Sequence, residues 1–547
     1  CLLVHQPFPL SPRREPSRVV IDLLPSGRDM LEVGYVTDIE GNLDYFRRWV
    51  AQSRVLRLVG TPERLEFVHD SAYFVYGGDA TDRGNGSERL VRMLVDLKRR
   101  HPSRVALIVG NRELNKLRMS AELSDADLKR PIEQISRPHW DEKAPALSEY
   151  LEIEAQARGV SVEKLNTRAE RLRYMYRHTL GCPNTFELRR EELALLRGVS
   201  REDISDDDIA QACIADVAPG GPLREYMENA HVACLFGNTL FVHGAVDKMT
   251  MRIVPSDTIR FELPESTQRD RDVAAEVCST PQQWVDSLNA FLRRGLEDHA
   301  QRPEWDETRS TRGGESLMAL QNRTAMWGRS VISNCYCDGG NITSNVSAGE
   351  RAKAEAEGEN GRAVAYEGVC SDPRDETWAS WLREHGVRRV IVGHKPSGDS
   401  PAVLSSRYTG VEVLSADTSY SDPQTGDGRG GAVAGILLRG ESLDAMHSVV
   451  FGVLRDGSVH EATLPTLSGG QDGRGGDPFV GVELADGWWV KARLKKAEPE
   501  ASYLLCRGEF RTVNYRVVSA TEVSALLANA PKIKGQPDEA GYCCTIL

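Results

Sequence analysis

The chain has 547 residues, 40% hydrophobic and 27% charged, which is the balance of a folded protein able to bury an apolar core without disulfide support. Asp and Glu outnumber Lys and Arg by 80 to 68, for a formal net charge of −12. With no basic tract, this argues against non-specific nucleic-acid binding, where phosphate neutralisation supplies most of the affinity.

The length suggests three or four domain-sized units. The opening CLLVHQPFPL has neither the basic stretch nor the long apolar core of a secretory signal. It does not begin with Met, so the natural N-terminus is expected upstream. Residues 1–28, rich in Pro and Arg, are expected to be an irregular leader. Buried strands are predicted in VGYVTD, AYFVYGGD and VALIVGN, and again in TLFVHG, RVIVGH and VEVLSAD, each a short apolar run bounded by Gly or Asp. Such runs alternating with helical stretches predict an α/β architecture. Residues 114–229 carry Leu, Glu, Arg and Ala at helical spacing and predict a helical insertion between two strands. Residues 339–375 are Gly-, Ala- and Glu-rich, and predict a surface loop. The segment DGRGG occurs at Asp427–Gly431 and at Asp472–Gly476, and both copies are expected to be long hairpin loops. Residues 441–525 are β-rich, with hairpins predicted at RDG, ADG and CRG. They form either the last sheet of the main domain or an accessory unit. A polar tail, 526–547, follows. No apolar run reaches the ~18 residues of a membrane span. The 11 Cys lack a repeating spacing and are expected to be reduced thiols of a cytoplasmic protein.

Five of the predicted strands run directly into residues able to bind a metal: Asp38-Ile39-Glu40-Gly41-Asn42, Gly78-Asp79-Ala80-Thr81-Asp82-Arg83-Gly84, Gly110-Asn111-Arg112-Glu113, His243-Gly244 and Gly393-His394. Open α/β sheets place their sites at the carboxyl ends of strands. Hard oxygen ligands mixed with imidazoles suit Mn, Fe or Zn in a two-metal centre.

This order of motifs resembles the calcineurin-like metallophosphoesterases, and among them the phosphoprotein phosphatases, over about residues 31–113 and 232–420. The resemblance implies a two-sheet α/β sandwich formed by 29–113 and 230–440, and a centre of two divalent ions, Mn first, with Fe, Zn or Mg as alternatives. It implies that Asp38 and Glu40 bind the first ion, that Asp79 bridges both, and that Asn111, His243 and His394 bind the second. It implies that Arg83 grips a substrate phosphate and that Asp82 orients a catalytic side chain. Two positions depart from the family pattern. Glu40 stands where the family has a ligand histidine, and a carboxylate there favours harder ions such as Mn or Mg. Arg112 stands where the family has the histidine that protonates the leaving group. An arginine stays charged to about pH 12 and cannot serve as that acid near neutrality. It can hold phosphate or a departing oxyanion instead, paired with Asp82.

The expected activity is hydrolysis of a phosphomonoester, on a protein or a small molecule, by in-line attack of a hydroxide held between two ions. Alternatives are a weak or inactive pseudophosphatase acting as a phosphate-binding scaffold, and a nucleotide or phosphoanhydride hydrolase. The chain ends in Cys544-Thr545-Ile546-Leu547, a prenylation box, with Cys543 beside it as a palmitoylation site. Both lipids together predict attachment of a cytoplasmic protein to a membrane surface.

Overall fold

The structure, a computed structural model, describes residues 30–135, 144–246, 251–255, 275–318, 374–418, 430–467, 475–495, 501–509 and 512–530. The expected leader, almost all of the 339–375 loop, most of both DGRGG segments and most of the tail, with Cys543 and Cys544, lie outside these residues.

In chain order the strands are β1 (Leu31–Val36), β2 (Leu56–Val59), β3 (Arg64–Phe67), β4 (Ala72–Tyr76) and β5 (Val105–Leu107). After a run of helices come β6 (Ala233–Phe236), β7 (Thr239–Val242), β8 (Ile253–Pro255) and β9 (Ala275–Val277). Then follow β10 (Arg389–Val392), β11 (Ala402–Leu404), β12 (Glu412–Ser415), β13 (Val433–Gly440), β14 (His447–Val453), β15 (Val459–Thr463), β16 (Trp489–Leu494), β17 (Ser502–Glu509) and β18 (Thr512–Ser519). The fold is α/β, as its alternating runs predict. A nine-stranded sheet has the order β18-β17-β16-β15-β14-β13-β1-β4-β5, and a five-stranded sheet the order β11-β12-β10-β7-β6. β2–β3 and β8–β9 are separate two-stranded sheets.

Side chains of successive strand residues point to opposite faces, and both faces of the central strands are covered. From β1 and β4, Val33, Tyr35, Tyr73 and Val75 share one apolar cluster with Phe236, Phe241, Ile391 and Leu414 of the smaller sheet. Tyr35 stacks on Phe241 with ring centres 5.7 Å apart, and Tyr73 meets Phe236 edge-on at 5.2 Å. The alternate residues Phe74 and Tyr76 pack in a second cluster with Trp49, Leu94, Trp284 and Trp378 of the helices Leu43–Gln52, Ser87–Arg100, Pro281–Gln301 and Glu376–Glu384. Burial on both sides is why these strands appear in the sequence as unbroken apolar runs.

Between β5 and β6 the chain is helical, the longer helices being Leu147–Arg158, Thr185–Arg197 and Asp206–Val217. The helix Pro222–Asn229 returns the chain to the core, where Leu223, Tyr226 and Met227 join the same cluster as Leu90 and Leu94.

The strands after residue 440 are not an accessory unit. β14 to β18 continue the large sheet antiparallel from β13. The RDG turn joins β14 to β15, as its sequence predicts. The CRG segment is not a turn, because Cys506, Arg507 and Gly508 all pair with β18 and the chain reverses beyond Glu509. The described strands that flank the first DGRGG segment, β12 and β13, belong to different sheets. A helix, Ala520–Ala528, closes the described chain. Among the described residues no helix is long and apolar enough to cross a membrane.

Candidate metal centre

β1, β4 and β5 are parallel in the large sheet, and β7 and β10 are parallel in the small one. Their carboxyl ends deliver Asp38, Asp79, Asn111, His243 and His394. The turns are sharp. Asp38, Glu40, Asp79, Asp82 and His394 have φ of 53°, 52°, 53°, 118° and 64°, and account for five of the eight non-glycine residues with positive φ among those described. Each such residue carries on the order of 1–3 kcal/mol of strain, which the surrounding packing must hold in place. Gly110 permits a close approach, because a Cβ there would lie 2.2 Å from Asp79 Oδ1.

Asp79, His243 and His394 each offer a ligand atom, and these atoms lie within 4.8 Å of one another. His243 is fully buried, and its Nδ1 is 2.8 Å from the Gly77 carbonyl. That carbonyl can only accept, so Nδ1 carries a proton and Nε2 is the nitrogen turned inward. Nε2 faces Asn111 Oδ1 at 3.1 Å and Asp79 Oδ1 at 3.4 Å. A neutral His243 would therefore point a lone pair at two acceptor oxygens. A second proton, a turned Asn111 amide or a cation among them resolves this, and of these a cation can meet both oxygens and the ring nitrogen together, so the donor set fits a divalent metal. Burial pulls His243 down, but the Asp79 carboxylate more than compensates and raises it to about 10. Asp79 is correspondingly lowered, burial being outweighed by His243 and Arg112.

Asp38 lies beside this group and accepts the Thr37 hydroxyl at 2.6 Å and the His394 backbone N–H at 3.0 Å. Burial and then the neighbouring Asp417 push its carboxyl well above the usual range.

The other side of Asp79 is occupied by arginine. Arg112 Nε lies 2.6 Å from Glu40 Oε1 and 3.4 Å from Asp79 Oδ2, and its Nη1 donates to Asp82 Oδ2 at 3.1 Å. Its backbone N–H donates to Asp79 Oδ1 at 3.0 Å. Burial lowers the basicity of Arg112, but Glu40, Asp82 and Asp79 raise it well above normal, so it is a permanent cation. Arg83 Nε stands 3.5 Å from the second oxygen of Glu40. The expected pairing of Asp82 with Arg112 is thus present in the geometry, and the Glu40 carboxylate lies between two guanidinium groups.

Three supporting residues are missed by motif reasoning. Glu113 accepts the backbone N–H groups of Asp79, Ala80 and Gly110 at 3.0, 2.8 and 2.7 Å, locking two strand-end turns together. Burial and Asp79 raise its carboxyl to about 7, against Lys116 and those N–H groups. Lys116 Nζ is 2.6 Å from Asp82 Oδ1 and donates to the Arg112 carbonyl at 2.9 Å. Thr185, at the start of a helix between β5 and β6, donates its hydroxyl to the Asp82 carbonyl at 2.9 Å. The one sequence signal was local: Glu113 and Lys116 follow Asn111 within a single short helical stretch. Cys182 is nearby, but burial and Asp82 push its thiol up to about 12, so it supplies no thiolate nucleophile.

No family model and no curated protein matches the chain. Among solved structures it is similar to a cold-active protein-tyrosine phosphatase of the psychrophile Shewanella sp., at 11% identity over 79% of this chain and 80% of that one, with a TM-score of 0.32. It is also similar to a protein serine/threonine phosphatase from Saccharomyces cerevisiae, at 11% identity over 75% of this chain and 72% of that one, with a TM-score of 0.28. Likeness at this level says nothing about activity, which rests on the side chains.

Proposed function

We propose that the chain is a metal-dependent phosphoesterase of the calcineurin-like type, hydrolysing a phosphomonoester. The observation that carries this is the convergence of Asp79, His243 and His394 from both sheets into one group able to ligate a metal. Asn111 completes the donor set, Asp38 and Glu40 are the carboxylates beside it, and Mn is the ion this mixture of oxygen and imidazole donors fits first. A divalent ion there would polarise a phosphoryl oxygen and acidify a water near phosphorus.

The chain's own residues supply the rest. Arg83, one-sixth exposed, is available to the phosphoryl oxygens of a substrate. Arg112 adds a second fixed positive charge, held in direction by Asp82, which Lys116 in turn anchors. Neither guanidinium gives up a proton near neutrality, so neither protonates the leaving group. This favours aryl phosphates and phosphoanhydrides over alkyl phosphates. The helices between β5 and β6, which reach the site through Thr185, are proposed to shape access to it. The tail is proposed to carry lipid on Cys544 and Cys543 and so bring the enzyme to a membrane surface.

The test is hydrolysis of p-nitrophenyl phosphate by the chain stripped with chelator and then titrated with Mn²⁺. Turnover that disappears on stripping and returns with Mn²⁺ supports the proposal. Absence of turnover with Mn²⁺, Fe²⁺, Zn²⁺ and Mg²⁺ alike would leave a phosphate-binding scaffold.

A further inference from the structure

The sequence leads to an expectation of two ions bridged by Asp79, yet the two oxygens of Asp79 meet different partners. Oδ1 faces His243 Nε2, while Oδ2 faces the Arg112 guanidinium. Glu40, expected to ligate the first ion, has Oε1 at 2.6 Å from Arg112 Nε and Oε2 at 3.5 Å from Arg83 Nε. A metal ion holds a carboxylate oxygen at about 2.0–2.2 Å and uses the lone pairs a guanidinium would otherwise take. Arg112 is poorly placed to yield them. Its side chain is 12% exposed, its Nη1 is tied to Asp82, its backbone N–H to Asp79 and its carbonyl to Lys116.

We propose, building on the metal-dependent reading above, that this chain binds a single divalent ion, at Asp79, Asn111, His243 and His394. The Arg112 guanidinium, standing between Glu40 and Asp79, takes the place of the other ion. Asp79 would then serve the ion from the side of Oδ1, which faces His243, and the guanidinium from the side of Oδ2. Glu40 is a partner of arginine and not a metal ligand. The two departures from the family motif, Glu40 and Arg112, become one exchange: an arginine brings the charge and a glutamate receives it. A phosphoryl group entering the site would meet one metal and two guanidinium groups, Arg112 and Arg83.

The test is the metal content of the full chain after equilibrium dialysis against Mn²⁺, by mass spectrometry, with the Mn²⁺ electron paramagnetic resonance spectrum of the same sample. The expected result is a single ion per chain with the spectrum of isolated Mn²⁺, and a second, exchange-coupled ion in Arg112→Ala. Two coupled ions in the wild-type chain would overturn this inference and leave the phosphoesterase reading intact. No ion in the wild-type chain would overturn both. A folded Arg112→Ala protein that still held a single ion would overturn the replacement of an ion by the guanidinium. Should Arg112→Ala not fold, Arg112→Gln decides by the same readout: a second, exchange-coupled ion supports the replacement, and a single ion overturns it.

Discussion

The large sheet has two ends built on different principles. At β1, β4 and β5 the strands finish in left-handed aspartates and glutamates, buried carboxylates crowd one another, and arginine and lysine are drawn in to balance them. At β14 to β18 the same sheet is an antiparallel ladder, its register shifted once between Val490 and Ala492, with Val450, Val490 and Leu505 packed in the inter-sheet cluster. One end holds strained turns and closely opposed buried charges. The other is held by its ladder and its apolar packing. The lesson is that the ladder stabilises a scaffold on which the strained end can be kept, so substitutions at the two ends should fail in different ways.

The largest effect is expected in the ladder. Trp489 of β16 is 1% exposed and packs against Tyr408 with ring centres 5.8 Å apart. Trp489→Ala should lower stability by about 3–5 kcal/mol in denaturant melts while leaving kcat of the surviving folded protein within about twofold. At the strained end the pattern reverses. Asp79→Asn should reduce turnover by about 10²–10³-fold through lost metal binding, with a stability loss smaller than that of Trp489→Ala, since His243 and Arg112 lose the carboxylate they pair with. If Asp79→Asn lost as much stability as Trp489→Ala and kept activity, the contrast between the two ends would collapse. Gly110→Ala comes next. Its new methyl group would press on Asp79 Oδ1, and displacement of that oxygen should lower kcat about 10²-fold, measured with saturating Mn²⁺.

The smallest effect expected is a pH dependence that belongs to the ladder. His460 of β15 is 1% exposed, and burial, assisted by Lys491, lowers it to about 3. A histidine that protonates more readily unfolded than folded stabilises the protein above its unfolded pKa, near 6.5, and loses that contribution as the pH falls toward 3. Between pH 7 and pH 5 this should lower stability by about 2 kcal/mol. The acid limb of the stability profile should flatten in His460→Leu. An unchanged profile would show that His460 is not the titrating group.

The two ends also differ in how legible they were. The strands of the site announce themselves because burial on both faces leaves an unbroken apolar run, and because Asp, Asn and His follow at the ends where open sheets expose them. Asp79, His243 and His394 come together for that reason. The ladder was legible as β structure but not as part of the same sheet, since the pairing of β13 with β1 joins residues about 400 positions apart and no local pattern encodes it. The CRG segment misled because glycine in a strand resembles a turn when its partner strand is unknown. The supporting roles of Glu113 and Lys116 were hidden because they depend on which backbone groups and carboxylates face them after folding. For the same reason spacing alone did not show that Arg112 reaches Glu40 and Asp79 as well as Asp82.

The most direct test of the account is calorimetric titration of the stripped chain with Mn²⁺, alongside Asp79→Asn and His243→Asn. The account predicts saturable binding to the wild-type chain and at least about a tenfold to hundredfold weaker affinity in each variant. Binding of equal strength in all three proteins, or none in the wild type, would contradict the assignment of a metal to this group.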